Sequence, residues 1–112
     1  MNKDFIEIHQ SFWNEPIWTE ATPEQTVILV TLLLIANSEE QQSHWKGEPM
    51  TLQPGQLITS LRSLVSLCGK GITEQDIRTA LKRFADYGFL TAESNREQLL
   101  ITILNWGEMI KG

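Results

Sequence analysis

A chain of 112 residues can bury one core between two packed layers and is too short for two full domains. Its 41% hydrophobic and 21% charged residues are a globular composition, which argues against disorder. A net charge of −5 and a pI near 4.9 argue against a non-specific nucleic-acid coat, because affinity for phosphate grows with the cations presented. The single cysteine, Cys68, rules out an internal disulfide and fits a reducing cytoplasm.

The opening "MNKDFIEIHQ" lacks the cationic-then-apolar order of a secretory signal, so a cytoplasmic location is expected. Residues 4–10 alternate as a short strand with Ile6 and Ile8 on one face. Pro16 and Pro23 punctuate a break over 14–25, and Thr22 caps a helix that starts with Pro23. That helix runs to about Asn37. Its apolar run "VILVTLLLIA" is about half of the ~20 residues a membrane span needs, so a buried helix and no membrane contact are expected. Because it is apolar on nearly every side, it is expected to be central to the fold or shared with a second subunit.

The stretch 38–49 reads as a polar connection, with Glu39 and Glu40 in a solvated loop. "MTLQPGQLITSL" then gives two extended segments joined at Pro54-Gly55. Ser60 caps a second helix, with Leu61, Leu64 and Leu67 or Cys68 facing inward and Gly69 and Gly71 ending it. Thr73 opens a third helix with Asp76 three residues on, in the manner of a capping box. Ile77, Ala80, Leu81 and Phe84 form its buried stripe, and Gly88 stops it. "FLTAE" and "LLITILNW" flank the turn "SNREQ" as a β-hairpin, followed by a short terminal helix or tail from Trp106.

The expected class is α+β, mainly α: a winged helix-turn-helix with a short N-terminal strand and a C-terminal hairpin wing. Its parts are a strand and arm (1–22), a first helix (23–38), a helix-turn-helix (60–88), a wing (89–105) and a tail (106–112).

Charge is uneven along this order. Residues 1–60 carry two basic and eight acidic side chains, residues 61–83 five and two, and residues 84–112 two and four. Positive charge therefore gathers on the helix pair. With its stripe turned inward, the third helix presents Glu74, Gln75, Arg78, Thr79, Lys82 and Arg83. Arg and Gln suit base edges, and Lys and Thr suit phosphate oxygens. The candidate DNA-contacting set is Arg62, Lys70, Thr73, Gln75, Arg78, Thr79, Lys82 and Arg83. Glu74 and Asp76 favour the helix dipole but repel phosphate. The plainer reading is a solvated face on which Arg78 pairs with Glu74.

No catalytic constellation stands out, so an enzyme is not expected. "GKG" at 69–71 lacks the upstream Gly and following Ser or Thr of a phosphate loop. His9 and His44 have no companion at ligand spacing, and Cys68 has no evident base, so neither a metal nor a cofactor is expected. Trp13, Trp18, Trp45 and Trp106 suggest core packing or a subunit interface. The candidate interface set is Phe5, Ile6, Ile8, Trp13, Trp18 and Trp106, with Trp13, Trp18 and Trp106 as one apolar cluster.

"SFWNEPIW", the apolar helix ending "LLLIAN", "LQPGQLITSLRSLVSLCG", "ITEQDIRTALKRFADYGFL" and "LLITILNW" follow one another over nearly the whole chain. This order resembles the N-terminal winged-helix domains of phage and prophage replication proteins, which are similar to DnaD-like primosomal proteins of low-GC Gram-positive bacteria. The resemblance implies a role in assembling replication machinery as a homo-oligomer, a dimer or tetramer. Its implied partners are duplex or single-stranded DNA and replication proteins such as a helicase or an initiator. Relatives of this kind commonly carry a C-terminal domain for DNA or helicase, so the chain is expected to be the N-terminal part of a longer protein or a small stand-alone one. A transcriptional regulator reading duplex DNA through 73–87 is the alternative.

Overall fold

The computed structural model describes residues 6–111 and has an α+β fold. Phe5 lies outside the described residues. Chain order begins with β1 (Glu7–Ile8), a 3₁₀ turn (Gln10–Asn14), α1 (Pro16–Thr19) and α2 (Pro23–Ile35). The expected break at 14–25 thus holds one helical turn, permitted because Pro16 sits where a helix needs no N–H donor. Within the described part of the expected strand 4–10, the strand covers Glu7–Ile8, and His9 then turns back to cap the 3₁₀ turn by accepting from the Ser11 N–H (3.1 Å). β1 pairs antiparallel with β7 (Ile110–Lys111).

α2 starts at a full capping box. The Thr22 hydroxyl accepts from the Gln25 N–H (3.1 Å), and the Gln25 side chain accepts from the Thr22 N–H (3.2 Å). Ile28, Leu29, Leu32 and Leu33 are buried, while Val27 and Leu34 are exposed. The apolar run is therefore one-sided within the chain.

After α2 the expected polar connection is instead a hairpin, β2 (Gln41–Trp45) and β3 (Glu48–Leu52). Lys46 and Gly47 turn it, both at positive φ (54° and 80°), as a two-residue hairpin needs. β4 (Gln56–Thr59) follows the Pro54-Gly55 turn. Gly55 has φ +90°, and a Cβ there would stand 2.7 Å from the Trp106 Cβ, so only glycine fits.

α3 (Leu61–Cys68) and α4 (Glu74–Asp86) pack on α2 and on each other. Leu64 is the buried anchor of α3, Leu61, Val65 and Cys68 pack beside it, and Leu67 is 57% exposed. The inward row thus runs 61, 64, 65, 68, and Leu67 falls off it by one helical step. In α4 all four expected positions, Ile77, Ala80, Leu81 and Phe84, are buried.

β5 (Leu90–Ser94) and β6 (Leu99–Ile103) form the expected hairpin, and β4 joins it to make an antiparallel sheet in the order β4-β6-β5. Leu57, Leu90, Ile101 and Ile103 close the sheet onto the helices. α5 (Trp106–Met109) and β7 complete the core, with Trp106 and Ile110 both buried. No helix among the described residues is long and apolar enough to cross a membrane.

Candidate nucleic-acid interface

The turn between α3 and α4 explains how the cations come to one side. Gly69 and Gly71 both take positive φ (93° and 90°) with open space around them, so conformation rather than crowding calls for glycine. Buried Ile72 pins the turn, which leaves Lys70 exposed at its apex. α4 then starts with Thr73 and Asp76 in reciprocal bonds: Asp76 N–H to the Thr73 hydroxyl (3.1 Å) and Thr73 N–H to the Asp76 carboxylate (2.9 Å). Asp76 is thereby committed to the helix end, where it favours the dipole. Thr73 acts first as a cap.

Gln75, Arg78, Thr79 and Lys82 are all exposed along one strip of α4. The Gln75 amide donates to the Thr79 hydroxyl (3.2 Å). Arg78 stands 3.8 Å from Glu74, and Lys82 3.2 Å from Asp86. These are i,i+4 pairs with every partner more than half exposed, so each is worth at most about 1 kcal/mol and is readily exchanged for another anion. The plainer expectation for Arg78 is met in geometry, and its guanidinium remains accessible.

Arg83 departs from the expected outward face. Its Nη1 donates to the Ile17 carbonyl and its Nη2 to the Pro16 carbonyl, both at 3.2 Å. The guanidinium lies 4.7 Å from the Tyr87 ring centroid, and the Tyr87 hydroxyl donates to Glu20 (3.0 Å). One turn of α1 offers its carbonyls across 66 positions of sequence, a partner that helical periodicity does not reveal. Arg83 is a clamp between α4 and α1.

A groove beside α4 is lined by Arg62, Glu74, Arg78, Glu93, Arg96 and Glu97. It separates the starts of α3 and α4 from the tip of the β5–β6 hairpin. Arg62, Lys70 and Arg96 make no ion pair among the described residues. With Arg83 turned to α1, residues 61–99 carry Arg62, Lys70, Arg78, Lys82 and Arg96 against Glu74, Asp76, Asp86, Glu93 and Glu97, five against five. The remainder of the chain holds the acidic excess.

The candidate interface residues divide. Trp13 is 66% exposed and Ile8 42% exposed. Trp18 is half-buried between Trp13 (centroids 5.7 Å apart) and Phe12 (5.8 Å). Phe12 continues to Phe89, and Phe89 to Phe84 of α4. Ile6 packs on the core edge. Trp106 belongs to the chain's own core beside Gly55, the same core on whose edge Trp18 packs. Of the three tryptophans expected to cluster, Trp13 and Trp18 are in ring contact, and Trp106 is buried within the core. Among the described residues no group of three or more His, Cys, Asp or Glu side chains could hold a metal ion.

Comparison with protein-family models, curated proteins and solved structures finds no match.

Proposed function

We propose that this chain is a winged-helix module of the replication-assembly kind its sequence resembles, which self-associates and lays α4 against duplex DNA. The observation that carries the reading is the exposed strip Gln75–Arg78–Thr79–Lys82, flanked by Arg62 and Lys70 on one side and Arg96 at the hairpin tip. In the winged-helix reading, α3–turn–α4 is the helix-turn-helix and β5–β6 is the wing. Arg78 and Gln75 meet base edges, while Lys82, Thr79, Arg62 and Lys70 meet phosphates. Arg83 is left out of the contact set, because its guanidinium is engaged by two α1 carbonyls and by Tyr87.

The near balance of charge on this side limits what one copy can grip. Four or so phosphate contacts give weak, salt-sensitive binding. Two copies on one duplex raise the effective affinity without new contacts. Exposed Trp13, Leu34 and Leu67 supply apolar surface of the kind that favours association.

Fluorescence anisotropy with a labelled duplex at low salt tests the DNA half of the proposal. The reading predicts that Arg78→Ala with Lys82→Ala weakens binding at least about tenfold, since each charge-assisted contact is worth roughly 1–3 kcal/mol. Unchanged affinity in that variant refutes it.

A further inference from the structure

The β2–β3 hairpin has one edge built to pair and one built not to. It forms a two-stranded sheet of its own, with Trp45 opposite Glu48, Ser43 opposite Met50 and Gln41 opposite Leu52. In a two-residue hairpin the pair flanking the turn exchanges both backbone hydrogen bonds, and hydrogen-bonded pairs then alternate. The backbone groups of Gln42 and His44 on β2, and of Pro49 and Thr51 on β3, are therefore turned away from the hairpin. Pro49 has no N–H to offer, so the β3 edge is blunted. The β2 edge carries no proline, lysine or carboxylate across residues 41–45, and Gln42 and His44 are exposed. Such an edge is a template for strand addition.

We infer that the occupant of this edge is the β2 strand of a second copy, antiparallel and related by a two-fold axis at Ser43. This inference rests on the self-association part of the proposed function and assigns it to the β2 edge, apart from exposed Trp13, Leu34 and Leu67. A dyad at Ser43 sets Gln42 opposite His44 of the second copy, and His44 opposite Gln42. Those are the two residues whose N–H and C=O groups face outward, so four interchain backbone hydrogen bonds close at once. The same register sets Glu40 opposite Lys46 of the second copy at both ends, a self-complementary charge pattern of the kind an isologous interface requires. A dyad at His44 would set Lys46 opposite Gln42 and carry Glu40 past the turn of the second copy, so no opposite charges meet. A dyad at Gln42 would leave Lys46 opposite Ser38. Backbone parity permits all three registers, and charge selects the one at Ser43, giving a four-stranded sheet in the order β3-β2-β2-β3 across the dimer.

The test is light scattering of the full chain over a concentration series, with charge variants and one cross-link. Glu40→Lys alone, or Lys46→Asp alone, places like charges opposite each other twice, and each weakens the dimer about tenfold. The Glu40→Lys/Lys46→Asp pair restores it. Aspartate is chosen because it tolerates the positive φ of position 46. Glu40 and Lys46 are both exposed, so the fold survives the changes. At the dyad the two Ser43 Cα atoms stand about 4.5 Å apart, within disulfide reach. Ser43→Cys in a Cys68→Ser background is thus expected to oxidise to a linked dimer. A dimer indifferent to both single charge variants, or a Ser43→Cys variant that stays unlinked under oxidation, places self-association elsewhere and overturns this inference alone. A chain that stays monomeric at every concentration overturns it together with the self-association reading, and leaves the DNA half to its own titration.

Discussion

Arg83 and Gly55 carry the most constraint per atom. Arg83 joins α4 to α1 through two carbonyls and the Tyr87 ring, so its loss leaves acceptors unpaired at a half-buried seam. Arg83→Ala is expected to lower stability by about 1–2 kcal/mol, read as a lower midpoint in urea. In the same protein the DNA affinity of the folded fraction should fall less than in Arg78→Ala. Equal losses from the two would return Arg83 to the contact face. Gly55→Ala meets both a positive φ and the Trp106 side chain, and a cost of about 2–4 kcal/mol is expected. A thermal midpoint unchanged by this substitution would contradict the packing of Trp106 against the β4 turn.

At the scale of elements, α4 is the best-determined piece. Its stripe of Ile77, Ala80, Leu81 and Phe84 is fully consistent with the 3.6-residue period, and both its capping partners are legible in the Thr73–Asp76 spacing. Thr73→Ala should cost about 1 kcal/mol through the lost cap, and Phe84→Ala about 3–5 kcal/mol. Chemical denaturation that ranks them the other way would argue against this packing. The 41–52 hairpin is far less legible. Met50–Leu52 reads as extended, but β2 and the start of β3 are mostly Gln, Ser, His, Glu and Pro, too thin in apolar alternation to mark a strand, and only Lys46-Gly47 signals the turn. Leu67 and Cys68 each extend an apolar helix face, and only packing against α2 chooses between them, in favour of Cys68. The clamp at Arg83 is hidden for a different reason: its partners are main-chain carbonyls far away in sequence, which no side-chain pattern encodes.

At the scale of the whole molecule, an acidic chain carries a segment, residues 61–99, in which free cations balance the carboxylates once Arg83 is set aside. On the proposed reading, the acidic remainder repels nucleic acid at long range, so contact requires the orientation that brings α4 forward. Titration of a labelled duplex over a range of salt tests this most directly. The account predicts a linear log–log salt dependence with a slope set by about four phosphates, reduced by about one in Lys82→Ala and unaltered in Arg83→Ala where the protein stays folded. Duplex binding whose slope ignores Lys82, or no binding at any salt concentration, would contradict it.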